Sequence, residues 1–308
     1  MAEKPAKAKR TLTGALFFAL SARGLLNWLP DKGYLSALWL CYFHQRLDWK
    51  NPRSFNEKIQ WLKVYDKNPL YPVLVDKLAV RDYIKRNIGE EYLIPLVGGP
   101  WSSFDEIDFD RLPPRFVLKC THDSGGVVIC RDKVGFDRAR AREKINKSLK
   151  RNYYWGGREW PYRKVQPRII AEQYMGGESG IDPADYKLIV FGGTYRCAFV
   201  TTNRSLGKKM NMTFFDPGWN RLPFERIYAA DPNELKRPAR YHEMVSIAER
   251  LAKDMPLARI DLYEIDGRVY FGEITLYPGS GLETFQPQEW DYKLGEWIDL
   301  KSFFSEKF

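Results

Sequence analysis

Hydrophobic and polar positions change their spacing along the chain, and the changes predict its elements. Up to about residue 50 the chain is rich in Leu and Trp and reads as helices. From Ser54 the order Ser-Phe-Asn-Glu has capping-box chemistry, and Ile59, Leu62 and Tyr65 supply the apolar stripe of a helix. A further helix is predicted over Val73 to Asn87, stopped by Gly89. After Pro113-Pro114 the character changes. Phe116 to Thr121 and Val127 to Cys130 read as short strands joined by His122-Asp-Ser-Gly-Gly126. Residues 137–151 read as a basic helix, and Arg168 to Tyr174 and Tyr186 to Phe191 as buried strands. Gly192-Gly193 turns the second of these into Thr194 to Thr201. A helix with Met244, Ile247, Ala248 and Leu251 on one face follows. Leu257 to Ile265, Asp266-Gly267 and Arg268 to Leu276 then carry a hairpin signal. No fixed-period repeat is present, and the expected class is α+β with antiparallel sheets.

Composition sharpens this in three places. With 308 residues, 44% of them hydrophobic and 15% aromatic, the chain can fill a core, which excludes wholesale disorder. At about 150 residues per domain the length suggests two lobes. Four cysteines without a close CxxC pair, and three histidines, form neither a zinc pattern nor a disulfide framework, so a reducing compartment is expected. The third place is the N-terminus, where Lys4, Lys7, Lys9 and Arg10 precede an apolar stretch from Leu12 to Leu20. That pattern admits a signal peptide, an interfacial helix with Leu16, Phe17, Leu20 and Leu25 toward lipid, or an ordinary docked helix. Arg23 leaves it short of a membrane span.

Candidate chemistry falls in four places. Lys119 ends a strand beside Ser124-Gly125-Gly126, so its ammonium and the loop amides could hold phosphate oxygens, although a plain hairpin turn has the same pattern. Glu172 interrupts an apolar strand, as either a paired buried carboxylate or a strand-end glutamate facing water. Asp185 and Lys187 put both charge signs on one face of the next strand, which a surface ion pair would also do. The strongest set is Arg259 and Asp261 on one arm of the hairpin, with Glu273 and Thr275 on the other. Hard oxygen ligands from adjacent strands suit magnesium, which binds few carboxylates and completes its shell with substrate phosphates. Side-chain alternation supplies a test. A two-residue turn would pair Ile260 with Glu273, so a metal site demands an odd, three-residue loop with Gly267 at positive φ. Separately, Arg131 to Arg168 holds 13 Lys/Arg against 4 Asp/Glu, interleaved with Tyr153, Tyr154, Trp155, Trp160 and Tyr162. It reads as a polyanion-facing surface or as a solvated basic helix.

Taken in order, these residues resemble the ATP-grasp superfamily, and within it the TupA-like branch associated with bacterial surface-polysaccharide biosynthesis and often labelled glycosyltransferase. The match is carried by Phe55-Asn-Glu-Lys-Ile-Gln-Trp61, Asp76-Lys77, Phe116-Val-Leu-Lys119, His122 with Ser124-Gly125-Gly126, and Gly157-Arg-Glu-Trp160. It continues through Arg168-Ile-Ile-Ala-Glu172, Asp185-Tyr-Lys187, Arg259-Ile-Asp-Leu-Tyr263, Phe271-Gly-Glu-Ile-Thr275 and Pro278-Gly-Ser-Gly281.

The resemblance implies two α+β lobes enclosing ATP. The expected division is a helical segment over 1–50, a region ahead of the grasp over 51–112, a small lobe over 113–182 and a C-terminal lobe over 183–308. It also implies ATP and Mg2+ as cofactors. Lys119 would meet the phosphates, with His122, Ser124, Gly125 and Gly126 around them. Glu172, Gln173, Tyr174 and Met175 would line the adenine end, and Asp185 and Lys187 the ribose or phosphates. Asp261, Glu273 and Thr275 would hold the metal, with Thr275 standing where the family has Asn. Arg259 would stabilise the charged intermediate, and Arg158, Glu159, Gly279, Ser280 and Gly281 would meet substrate. The implied reaction is carboxylate–amine ligation through an acyl phosphate on an acidic, uronic-acid-type component. A sugar-nucleotide glycosyltransferase and a non-enzymatic polyanion-binding protein are the alternatives. The expected partners are an acidic sugar or polysaccharide and an amine donor, with the basic segment toward the acceptor and no nucleic acid. The expected location is cytoplasmic, with peripheral membrane contact through the N-terminal helix.

Overall fold

The computed structural model describes residues 12–177, 183–202 and 210–307. The basic run Lys4, Lys7, Lys9 and Arg10 lies outside the described residues. The chain opens with α1 (Leu12–Ala22) and α2 (Asp31–Phe43), then α3 (Phe55–Tyr65), α4 (Tyr71–Val75) and α5 (Val80–Asn87). The capping box is present at α3. Ser54 accepts from the Glu57 amide at 3.2 Å, and the Glu57 carboxylate accepts from the Ser54 amide at 2.9 Å. The single helix expected over Val73 to Asn87 is instead two. Asp76 leaves the helical conformation, and its side chain accepts from the Leu78 amide at 2.8 Å, starting a new turn.

A four-stranded antiparallel sheet follows, built from β1 (Leu96–Trp101), β2 (Phe116–Cys120), β3 (Val127–Cys130) and β4 (Ile169–Gln173) in the order β1-β4-β2-β3. Its edge strand β1 lies ahead of Pro113, so the expected lobe boundary falls within the chain that builds this sheet. The sequence Leu-Val-Gly-Gly-Pro-Trp hides that strand, because Gly and Pro are poor strand formers. The helix α6 (Arg138–Leu149) is capped by Asp137, which accepts from the Arg140 amide at 2.9 Å. Its Ala141 and Ile145 pack with Phe116, Leu118 and Cys120. Alternation along β2 therefore turns Lys119 to the sheet's other face.

The larger, five-stranded sheet comprises β5 (Asp185–Phe191), β6 (Thr194–Thr202), β7 (Asn211–Phe215), β9 (Leu257–Ile265) and β10 (Arg268–Thr275), ordered β10-β9-β5-β6-β7 and wholly antiparallel. A short pair, β8 (Glu225–Arg226) with β11 (Phe285–Gln286), lies beside it. The helices α7 (Tyr154–Gly157), α8 (Tyr241–Leu251) and α9 (Glu289–Glu296) complete the set used below. Met244, Ile247, Ala248 and Leu251 are buried, as their spacing predicts. The main core joins this sheet to α3, α4, α5 and α8 through Phe55, Ile59, Leu62, Ile84, Leu188, Ile260 and Met244. All four cysteines are free thiols. No helix among the described residues is long and apolar enough to cross a membrane.

Candidate functional site

The closing hairpin reaches the expected face by a different device. Its connection is the two-residue turn Asp266-Gly267, both at positive φ (51° and 72°), not the odd loop that alternation demanded. The ladder runs regularly from Arg268↔Ile265 to Phe271↔Leu262 and then shifts, so that Glu273 faces Asp261 and Thr275 faces Arg259. Gly272 is the extra residue of a bulge inside β10. It approaches the facing strand so closely that a Cβ would come within 3.0 Å of the Asp261 carbonyl oxygen. The register needed one additional residue, and the chain inserts it in the strand rather than the turn.

One face of three neighbouring strands consequently gathers the charged residues. Lys187 lies opposite Asp261 across β5 and β9, and Asp185 two positions along. Arg259 donates from Nε to Asp261 Oδ1 at 2.6 Å and from a terminal nitrogen to Asp261 Oδ2 at 2.8 Å. The same terminal nitrogen donates to Glu273 Oε1 at 2.7 Å, an oxygen that also accepts from the Thr275 hydroxyl at 3.1 Å. Lys187 is paired with Asp261 and stands 2.6 Å from Asp185 Oδ2. Burial pushes the Asp261 carboxyl up, against the pull of Arg259 and Lys187. Burial also acts to raise Glu273, but Arg259, then Lys77 and Lys187 and the Thr275 hydroxyl, outweigh it and hold that carboxyl at about 2. Although burial opposes it, the proximity of Asp261 and Glu273 raises the Arg259 guanidinium above its ordinary value.

The facing wall comes from the smaller sheet. Lys119 on β2 and Glu172 on β4 form an ion pair of 2.5 Å on the face away from α6. Arg81 of α5 stands 3.6 Å from the other Glu172 oxygen. These groups line one cleft with Glu273, Gly272, Lys77 and Tyr162, and Leu74, Val75, Val80, Leu93, Phe271 and Ile274 supply its apolar surface. The cleft is narrow and open to solvent. Cations beside apolar walls suit a nucleotide, with phosphates against Lys77, Arg81 and Lys119 and a flat base against the aliphatic side chains. A metal fits in a narrower sense. Among the described residues no cluster of three or more His, Cys, Asp or Glu could hold an ion. Asp261 and Glu273, with the Thr275 hydroxyl, instead form the small oxygen set that magnesium uses when substrate phosphates complete its shell.

The glycine loop is braced from outside the sheet. The helix break at Asp76 directs Lys77 toward it, where the Lys77 amide donates to the Thr121 carbonyl at 3.0 Å and its ammonium to the Asp123 carbonyl. Ser124 and Gly125 form the exposed tip. His122 points elsewhere, toward the Ser148 and Arg151 carbonyls at 3.1 Å each, so it anchors the loop to the end of α6 rather than facing the cleft. Gln173 is exposed, Met175 is half-buried and Tyr174 is buried, with its hydroxyl 3.3 Å from Arg131 Nε.

A second polar cluster forms around Pro278-Gly-Ser-Gly281. Gly279, Ser280 and Gly281 are left-handed in succession (φ 60°, 55° and 60°). The buried Lys63 of α3 donates to the Ser280 carbonyl at 2.7 Å and its hydroxyl at 2.8 Å, and Gln60 donates to the Gly281 carbonyl at 2.7 Å. Glu159 is buried beside Lys63 and Ser280. Burial holds the Lys63 ammonium down to about 8, with Glu159 acting the other way.

One expectation is corrected by placement. Arg158 does not join this cluster. It is buried at the N-terminal helices, donating to the Leu26 carbonyl at 2.9 Å and stacking 4.3 Å from the Tyr34 ring centroid. The basic helix α6 covers the sheet face opposite Lys119, with Arg138 and Arg142 over the rings of Phe109 and Phe104. Sequence reasoning gave no role to Lys77, Arg81 or Lys63, although Asp76-Lys77 stood among the resembling residues, and it placed Tyr162 with the basic segment rather than the cleft. An acidic-then-basic pair between apolar runs was the available signal of a helix break.

A protein-family model described as TupA-like ATPgrasp matches residues 57–299. No curated protein matches the chain. Among solved structures, it is similar to a D-alanine–D-alanine ligase from Bacillus anthracis complexed with ATP, at 14% identity, covering 76% of this chain and 66% of that one, TM-score 0.43. It is also similar to the same enzyme from Helicobacter pylori, at 14% identity over 80% and 69% of the two chains, TM-score 0.45. A third is the N5-carboxyaminoimidazole ribonucleotide synthetase from Thermus thermophilus, at 14% identity over 66% and 45%, TM-score 0.35. The chain spans about two thirds of the length of the two D-alanine–D-alanine ligases it matches.

Proposed function

The chain belongs to the TupA-like ATP-grasp family, and on that premise we propose that it is an ATP-dependent carboxylate–amine ligase acting on an acidic, uronic-acid-type component of a surface polysaccharide. The observation that carries this reading is one cleft lined from two sheets, with Lys119 and Glu172 on one side and Glu273 on the other. In the proposed reaction a carboxylate oxygen of the substrate attacks the γ-phosphorus and ADP leaves. The amine nitrogen then attacks the acyl carbon, phosphate leaves, and the amine gives up a proton. Bound magnesium would neutralise charge on the transferring phosphoryl group, held by Asp261 and Glu273 with Thr275 beside them.

The chain's own groups have distinct tasks in this scheme. Lys119, freed from Glu172 by a competing phosphate, balances phosphoryl charge, and Lys77 and Arg81 add to the same field. Arg259, which contacts both Asp261 and Glu273, would share these carboxylates with a bound metal, and its guanidinium would stabilise the oxyanion of the tetrahedral intermediate. The left-handed turn at Gly279 to Gly281, held rigid by Gln60 and Lys63, would form the substrate side of the site. The experiment is ADP release by purified protein with magnesium, ATP and a panel of uronic acids and amines. Activity that requires both a carboxylate and an amine, and that Glu273→Gln removes, supports the proposal. UDP- or GDP-sugar binding without ATP binding would transfer the assignment to a glycosyltransferase.

A further inference from the structure

The N-terminal helices leave an apolar face uncovered, and this feature is independent of the cleft. No charged side chain occurs in α1, Leu-Thr-Gly-Ala-Leu-Phe-Phe-Ala-Leu-Ser-Ala. Its inner side is accounted for, since Phe17 and Phe18, with Leu26 and Leu29 from the following turn, pack on Tyr34, Leu35 and Leu38 of α2. The outer positions are Ala15, Leu16, Ala19 and Ala22, and exposure continues through Arg23, Leu25 and Trp28. Trp28 is 78% exposed, Leu16 60% and Leu25 55%, and Leu40 of α2 is exposed as well. A surface helix in water normally carries charge on its outer face, and here that face is alanine and leucine.

The flanking charge has one dominant sign. Lys4, Lys7, Lys9 and Arg10 precede α1 in the sequence, and Arg23 and Lys32 lie within and just after the turn. Residues 1–50 hold eight Lys/Arg against three Asp/Glu, and this segment lies ahead of the part that matches the family. Exposed leucines and a tryptophan, bordered by cations, match the headgroup region of an anionic bilayer, where an indole straddles the interface and ammonium groups meet lipid phosphates. We propose that this face rests on an anionic lipid membrane, with Trp28, Leu16, Leu25 and Leu40 entering the boundary between headgroups and acyl chains.

The test is co-sedimentation of the full chain with vesicles of phosphatidylcholine alone and of phosphatidylcholine mixed with phosphatidylglycerol. The expected result is pelleting with the mixed vesicles only, weakening steeply as salt rises. The double variant Leu16→Ser/Trp28→Ser should lose at least tenfold in partitioning while keeping its thermal midpoint, because both side chains are exposed. Replacing Lys4, Lys7 and Lys9 by Gln should weaken binding by roughly fivefold per charge, from the contribution of a basic residue near an anionic surface. Absence of pelleting at low salt overturns the proposal, as does equal pelleting of the double serine variant. A solution dimer that the serine variant dissociates, without vesicle binding, overturns it in favour of a second copy of the chain.

Discussion

Arg259 occupies the space between the carboxylates that would hold a metal, and this sets the behaviour of the site before any ligand arrives. Its guanidinium neutralises Asp261 by a two-point contact and Glu273 by a third. A unit charge about 4 Å away is worth on the order of 1 kcal/mol in water and more where partly buried. Replacing Arg259 with Gln should therefore tighten Mn2+ binding to nucleotide-free protein by roughly fivefold or more, while ligase turnover falls at least a hundredfold. A manganese titration followed by electron paramagnetic resonance reads the first effect, and an unchanged affinity would refute the competition. At Lys63 the consequence is a pH dependence. Its folded value of about 8 lies below the unfolded value near 10.4, so between these pH values the unfolded chain holds a proton that the folded chain has released. Folding stability contributed by this residue is lowest below pH 8 and rises as pH climbs through that window. Denaturation of wild type and Lys63→Met across the window should show the difference moving in favour of wild type by up to about 3 kcal/mol. A flat difference would remove Lys63 as a buried titrating group.

Among the elements, the hairpin β9–β10 is the one whose irregularity has chemical meaning. Asp-Gly favours a two-residue turn with both residues at positive φ, and the turn forms as its chemistry dictates. Without the bulge such a turn would set Glu273 opposite Ile260, on the face that packs into the core. The extra residue Gly272 restores Glu273 to Asp261, and its lack of a side chain lets the strands approach. Substituting Gly272 with Val should separate the strands at this point and push a side chain into the cleft. Affinity for Mg·ATP should fall more than tenfold, with a loss of about 1–2 kcal/mol in folding stability. Calorimetric titration together with urea denaturation separates these effects, and wild-type nucleotide affinity in the variant would show that the bulge is incidental. The split between α4 and α5 is a second irregularity of this kind, since a continuous helix would carry Lys77 away from the glycine loop that it braces.

At the scale of the molecule, the cleft joins residues two hundred positions apart, from Leu74 to Ile274. Ligand entering it touches both sheets, so binding should stabilise the fold as one unit. At a hundred times its dissociation constant Mg·ATP should add about 2.7 kcal/mol, which raises the thermal midpoint by several degrees. Lys119→Met should abolish most of that rise and leave the unliganded midpoint nearly unchanged, because its partner Glu172 keeps Arg81 as a neighbour. Differential scanning calorimetry with and without nucleotide measures both, and an equal rise in the variant would place the phosphates away from Lys119. The same scale sets where the parts of the basic segment lie. Its α6 part packs on the back of the small sheet, whereas Tyr162 from its C-terminal part lines the cleft.

What the residues determine without tertiary context is local in origin. Alternation and apolar runs locate β2 to β6 and both arms of the closing hairpin, and the order Ser-Phe-Asn-Glu locates the start of α3. The acids and bases interrupting apolar strands mark Lys119, Glu172, Asp185, Lys187, Arg259, Asp261 and Glu273, because a charge in such a setting needs a partner. The partners themselves were decided only by the fold. Arg81 reaches Glu172 and Lys63 reaches Ser280 across separations that no local pattern encodes. His122 and Arg158 carry suggestive chemistry yet serve as anchors for α6 and the N-terminal helices, since packing and not residue type sets where a side chain points. The bulge at Gly272 belongs to the same class. A turn specifies how two strands begin to pair, but where the pairing shifts depends on which faces the rest of the protein buries.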